Sequence, residues 1–203
     1  ETYFTVWSNI FFNQKIKNGS IFLVHGGSGG IGSTAIQIGA AMGLQVFTTA
    51  SSAESCAYCE GLGAKRTIDF SEEDFVPVLR EVGGANIILD IMGGDYVARN
   101  IRAAHADARI IQLAFNLGSK IDIDLMPVML KRLSLTGSTL RSRSDDFKSA
   151  VASDLIRTVW PLFESSPPKL RTTTFAQFDL ADANKAHTLM ESGSKRGKIL
   201  LTM

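Results

Sequence analysis

Ser20-Ile21-Phe22-Leu23-Val24-His25-Gly26-Gly27-Ser28-Gly29-Gly30-Ile31-Gly32 is an apolar run that stops at a cluster of glycines and gives way to Ser33-Thr34-Ala35-Ile36-Gln37. It reads as a buried strand, a tight turn and the start of a helix. Gly27, Gly29 and Gly32 fit G-x-G-x-x-G, in which one glycine makes the turn, another admits a diphosphate to the backbone, and the last lets helix pack on strand. The unpaired amides at a helix N-terminus then face the phosphates. A glycine-rich turn alone is a weak signal, so the flanks decide its meaning.

Ile31, Ala35, Ile38 and Met42 recur at helical spacing, and Gly39 and Ala40 are small enough for close contact with a sheet. Gly43 ends the helix, and Gln45-Val46-Phe47-Thr48-Thr49-Ala50 follows as a strand. Strand, helix and strand fit one right-handed parallel crossover. NAD sites usually place Asp or Glu about 20 residues beyond the glycines to hold the ribose 2′-hydroxyl, and such an acid repels a 2′-phosphate. Here the tip reads Thr49-Ala50-Ser51-Ser52-Ala53, with no acid before Glu54. The hydroxyls of Ser51 and Ser52 suit a phosphate, which favours NADP over NAD. No Lys or Arg between Leu44 and Ala64 adds to that preference.

The alternation continues. Strands are expected over 64–70, 85–90, 108–113 and 133–140, and helices over 74–82, from Asp95 through Ala103, and over 145–164. This pattern predicts an α/β fold with a doubly wound parallel sheet of Rossmann type. Ser165-Ser166-Pro167-Pro168 ends the last helix and divides a cofactor domain (1–165) from an appendage (166–203). The appendage carries a threonine-rich strand, a helix over 181–192 and a closing strand Lys198-Ile199-Leu200-Leu201-Thr202.

The 203 residues are 45% hydrophobic, with a formal net charge of +1. That balance suits a buried core and gives no reason to expect nucleic acid or an anionic membrane as partner. No run reaches the length of a bilayer span, nothing at the N-terminus resembles a signal peptide, and the cytoplasm is the expected compartment. The chain opens on Glu1 without an initiator Met, in a helical pattern with Phe4, Trp7, Ile10 and Phe11 on one stripe, and reads as a piece of a longer protein. Cys56 and Cys59 have redox-motif spacing but fall within an expected helix, so they read as two small apolar residues. His25, His105 and His187 lack a paired acid or ligand spacing. Asp122 and Asp124 alternate along an extended segment without a partner, and no catalytic residue is assigned.

Glu1 to Trp7, the loop His25 to Gly32, Asp90-Ile91-Met92-Gly93-Gly94, Leu135-Thr136-Gly137-Ser138-Thr139-Leu140-Arg141 and Gly197 to Leu201 together resemble the quinone oxidoreductases of the medium-chain dehydrogenase/reductase superfamily, the zeta-crystallin group. The resemblance covers essentially the whole chain. It implies an NADPH-dependent oxidoreductase that passes hydride to a quinone or activated alkene such as an enone or alkenal. It also implies a GroES-like catalytic domain that is not in this sequence and to which the appendage belongs. The superfamily's zinc ligands come mainly from that other part, so no metal is expected here.

By the same resemblance Thr5, Gly29, Gly30, Ile31, Gly32, Ser51, Met92, Phe115 and Arg141 surround NADPH. Ser55 and Phe70 stand where relatives often carry Lys and Tyr around the 2′-phosphate, which weakens the preference for NADP. Phe70 is read either as a cofactor neighbour or as a core aromatic, and Arg141 as a site residue rather than a surface charge. The strand over 133–139 is expected at a sheet edge with few charges, and a two-fold homodimer is expected through it. Two other readings are weighed. Gly26, Gly30 and Gly32 also fit the short-chain dehydrogenase turn, but Tyr3, Tyr58 and Tyr96 are followed four residues on by Trp7, Leu62 and Asn100 rather than Lys. A nucleotide-binding or dimerisation module without catalysis is the third.

Overall fold

In the computed structural model, which describes residues 1–172, 174–193 and 196–203, six parallel strands run in the order β3-β2-β1-β4-β5-β6. They are β1 (Ile21–Val24), β2 (Gln45–Ala50), β3 (Arg66–Asp69), β4 (Ala85–Asp90), β5 (Ala104–Gln112) and β6 (Ser134–Gly137). The chain moves outward from β1 to β3, then returns to start again at β4 beside β1. That reversal opens a crevice at the carboxyl ends of β1 and β4, where doubly wound sheets take ligands.

The alternation of side chains along each strand sorts the core into two layers. Phe22, Val24, Val46, Ile87, Leu89 and Ile111 face one side and are buried with residues of α1 (Thr2–Ile10), α2 (Gly30–Ala41) and α7 (Asp145–Thr158). Leu23, Phe47, Ile68, Ile88 and Ile110 face the other and meet α4 (Phe75–Glu81) and α5 (Tyr96–Ala103). With both faces covered, the central strands β1 and β4 carry continuous apolar runs, Ile21-Phe22-Leu23-Val24 and Ile87-Ile88-Leu89. Helix α3 (Ala53–Gly61) links β2 to β3. It is started by the Ser52 hydroxyl, which accepts from Ser55 N–H, and α4 is started likewise by Asp74 accepting from Val76 N–H.

Several expected elements differ in detail. The helix expected over 145–164 is two: α7 stops at Thr158, and α8 (Pro161–Glu164) begins at a proline that has no N–H to continue the ladder. Asp95 precedes α5 but its side chain makes no cap; it pairs instead with Arg99 at 3.5 Å. Asp122 and Asp124 lie outside any strand, and Asp124 accepts from Met126 N–H at the start of a short helix, α6 (Met126–Leu130), that the sequence pattern did not reveal.

The appendage is a parallel pair, β7 (Thr174–Asp179) and β8 (Lys198–Thr202), joined through a 3₁₀ turn (Leu180–Asp182) and α9 (Ala183–Glu191). Of the expected threonine strand, Thr172 is not in β7 and Thr173 lies outside the described residues. The appendage meets the sheet domain through Leu170, buried in the first core layer, and through polar contacts: Arg171 N–H donates to Gln37 Oε1 (2.8 Å), and Gly197 N–H donates to the Ser28 carbonyl (3.1 Å).

Candidate functional site

All but Thr5 of the residues expected around the nucleotide follow the carboxyl ends of parallel strands or open the helix after one. The glycine turn follows β1, Ser51 and Ser52 follow β2, Phe70 follows β3, Met92 follows β4, Phe115 follows β5 and Arg141 follows β6. Thr5 sits on α1, which packs against α2 and α7.

The glycines of the turn divide the work differently from the expected assignment. Gly26, not Gly27, takes the left-handed turn, with φ +72°. A Cβ on Gly27 would lie 2.2 Å from Thr48 Oγ1, so Gly27 serves the packing of turn on β2. A Cβ on Gly32 would lie 2.2 Å from the Gly26 carbonyl oxygen, so Gly32 lets α2 press onto the turn. Gly29 differs from both. It precedes α2 in extended backbone (φ −75°, ψ 174°), and among the described residues a Cβ there would meet only the Gly26 carbonyl oxygen, at 3.4 Å. The space above Gly29 is therefore open, as a diphosphate cradle requires.

Lys198, from β8, adds a charge here. Its Nζ lies 2.8 Å from the point a Gly30 Cβ would occupy, at the N-terminus of α2. A cation at the positive end of a helix dipole is unfavourable alone and favourable when an anion lies between them. Local sequence carries no hint of this residue, because it is brought in by the appendage.

At the tip of β2, Ser51 is exposed, while the Ser52 hydroxyl is committed to α3: it accepts from Ser55 N–H (3.2 Å) and donates to Ser55 Oγ (3.1 Å). Phe70 N–H donates to the Ala50 carbonyl (3.0 Å), so Phe70 flanks this tip. It is 44% exposed, which removes the core alternative. Glu54 is paired with Arg196 at 2.6 Å. A cation absent from residues 44–64 thus reaches the tip from the appendage.

Met92 is half-buried, and Phe115 is exposed on a loop that closes over Gly93, where a Cβ would come within 2.8 Å of Phe115 Cδ1. Thr5 and Arg141 converge, with Phe4, Leu113 and Ser138, on an open cavity of about 510 Å³ beyond β5 and β6. The structure thus places the expected residues at the glycine turn, the β2 tip, the loops after β4 and β5 and a groove past β6, all beyond the carboxyl ends of the strands, with Thr5 reaching that groove from α1.

Cys59 is fully buried in α3, and burial pushes its thiol up to about 12, with Cys56 and Glu60 acting the same way. A thiol so held is not a nucleophile at neutral pH. Among the described residues, no group of three or more His, Cys, Asp or Glu is placed to hold a metal ion, and no helix is long and apolar enough to cross a membrane.

His25, given little weight by the sequence, is buried and bonded on both ring nitrogens, to Thr49 Oγ1 (3.2 Å) and Asn100 Oδ1 (2.7 Å). These partners lie 24 and 75 residues away, beyond the reach of local spacing.

Strand order, crevice and glycine turn define a Rossmann-type domain, the class whose switch-point crevice takes dinucleotides. Residues 30–155 match the family described as Zinc-binding dehydrogenase, and the chain belongs to that family. It is 24% identical to rat quinone oxidoreductase, over 99% of this chain and 60% of the relative. To quinone oxidoreductase 1 of Escherichia coli it is 26% identical, over 97% of this chain and 61% of the relative. A phenolphthiocerol/phthiocerol polyketide synthase of Mycobacterium tuberculosis is 25% identical over 99% of this chain but only 9% of that protein. Among solved structures, the quinone oxidoreductase of Pseudomonas syringae superposes with a TM-score of 0.83 at 25% identity, over 100% of this chain and 62% of the other. The Escherichia coli quinone oxidoreductase complexed with NADPH gives the same TM-score at 22% identity, over 100% of this chain and 63% of the other, a likeness of fold. The chain thus spans about 60% of the quinone oxidoreductases it matches.

Proposed function

We propose that this chain is the NADP(H)-binding part of an oxidoreductase that transfers hydride to a quinone or an activated alkene. The observation that carries the reading is the open face of Gly29 at the N-terminus of α2, joined to a β2 tip whose residues Ser51-Ser52-Ala53 carry no acid, the first one along the chain, Glu54, being paired with Arg196. NADPH, when bound, supplies the hydride; the protein supplies position and exclusion of water. The first-turn amides of α2 and the Lys198 ammonium hold the diphosphate. Ser51 and the backbone of the β2 tip take the 2′-phosphate, with Phe70 beside them, and the Met92–Gly93 loop, Phe115, Thr5 and Arg141 line the run toward the nicotinamide. Residues 1–165 form the cofactor domain, and 166–203 belong with a GroES-like catalytic domain that supplies the other wall of the reaction site. The quinone oxidoreductase names of the relatives support a small-molecule substrate, and a cytoplasmic setting belongs to the same reading.

The test is NADPH oxidation with a benzoquinone and with an enone, measured on the full-length protein and on this 203-residue chain. Saturable turnover by the full-length protein and none above the uncatalysed rate by the chain alone is the expected result. Failure of the full-length protein with both acceptor classes would leave the third reading, a nucleotide-binding module without catalysis.

A further inference from the structure

The polar groups buried beneath the glycine turn form one chain with a fixed direction. Asp90, at the end of β4, is fully buried, and its Oδ1 accepts from Met92 N–H (2.6 Å) and Gly93 N–H (3.1 Å). Its Oδ2 lies 2.9 Å from Asn100 Nδ2. A carboxylate only accepts, so Asn100 must turn its amide nitrogen toward Asp90 and its carbonyl oxygen toward His25. That oxygen is 2.7 Å from His25 Nε2, which must therefore carry the ring proton. Nδ1 of the neutral ring is then bare and accepts from the Thr49 hydroxyl at 3.2 Å. Thr49 Oγ1 in turn accepts from Gly26 N–H at 3.3 Å. Each link dictates the next, and the ends are the two loops that wall the switch-point crevice.

The surroundings keep the ring neutral. Burial pushes His25 below its ordinary value, Arg99 acts the same way, and Asp90 and the Asn100 bond oppose them. Phe75 of α4 and Tyr96 of α5 meet the imidazole edge-on, both at 4.8 Å. The Arg99 guanidinium lies over those two rings and is itself paired with Asp74 at 2.9 Å and Asp95 at 3.5 Å. An imidazolium would turn a second donor on Thr49, and the hydroxyl would lose the acceptor that orients it.

We propose that Thr49, His25, Asn100 and Asp90 are positioning residues that set the Gly26 turn against the Met92–Gly93 loop, so that a dinucleotide meets both walls of the crevice at once. The inference rests on the cofactor reading above. None of the four touches the nucleotide; they act through the backbone of Gly26, Met92 and Gly93.

The test compares wild type, Thr49→Val and Thr49→Ser in the full-length protein, by titration with NADP⁺ across the acid range. NAD⁺ is the control, because it lacks the 2′-phosphate and its titration. The isosteric valine removes the hydroxyl, and an affinity loss of about tenfold is expected, most of it recovered by serine. Wild-type affinity for both nucleotides is expected to fall on acidification through the His25 titration, and the valine variant to show a flatter profile. Nitrogen NMR of wild-type His25 is expected to find the proton on Nε2 at neutral pH, a readout that stands even where the valine variant does not fold. A proton on Nδ1, or valine affinity within about twofold of wild type, overturns the proposal. Absence of wild-type binding to either nucleotide sinks the cofactor reading, and this inference with it; wild-type binding with undiminished valine affinity sinks this inference alone.

Discussion

Gly32 and Gly26 are packed so closely that a Cβ on Gly32 would lie 2.2 Å from the Gly26 carbonyl oxygen and 2.6 Å from the Gly27 Cα. All of these neighbours are backbone, which cannot rotate away. Gly32→Ala is therefore expected to destabilise the fold by about 2–3 kcal/mol, lowering the melting temperature by about 5–10 °C. Thermal unfolding checks this, and an unchanged melt would mean that turn and helix are not in this contact.

Gly29→Val should do the reverse. The backbone there suits any residue, and among the described residues the only neighbour within 4 Å of the new Cβ is the Gly26 carbonyl oxygen at 3.4 Å. The melt is expected to move by less than about 2 °C, while nucleotide affinity falls at least tenfold, because the side chain takes the space of the diphosphate. Calorimetry beside a thermal melt separates the two effects; wild-type affinity would remove this turn as the phosphate site.

Cys59 makes stability depend on pH at the alkaline end. Its folded value of about 12 lies above the ordinary thiol value, so the unfolded chain loses a proton that the folded chain keeps. The contribution is fully present below pH ~8.5 and is lost as pH rises from there toward 12. Melts at pH 8 and pH 10 should show a smaller drop in Cys59→Ala than in wild type, by about 2 kcal/mol. Equal drops would contradict the burial of this thiol. Cys56, half-buried on the same helix, is expected to react first with an alkylating reagent.

How much of this was legible in the sequence follows from distance along the chain. The apolar strands, the glycine turn and the α2 stripe are local patterns, and each became the expected element. The break between α7 and α8 is signalled by Pro161, but the apolar pattern on either side continues in phase and hides it. The Asp90–Asn100–His25–Thr49 chain was not legible at all: it joins β4, α5, the turn and β2, and only the sheet order brings these together. Lys198 and Arg196 reach the site through the appendage, which periodicity cannot place. The clue nearest to hand was Asp90, an acid closing an apolar strand just before Ile91-Met92-Gly93-Gly94.

β6 is the outer strand of the sheet, and all four of its residues are exposed, with Leu135 at 42%. An uncovered strand edge with an apolar residue invites pairing with a second copy. Light scattering over a range of concentrations is expected to give a dimer, and Leu135→Lys to shift it toward monomer without changing the fold. A wild-type monomer at every concentration would contradict the pairing.

The central claim is a nucleotide site on the Gly29 face that accepts a 2′-phosphate at the tip of β2. Calorimetric titration of this chain with NADPH and with NADH tests it most directly. Tighter binding of NADPH is the predicted result, by a modest factor because Ser55 and Phe70 stand where a charged and a phenolic donor would strengthen it. Equal or tighter binding of NADH would contradict the preference, and no binding of either would contradict the site.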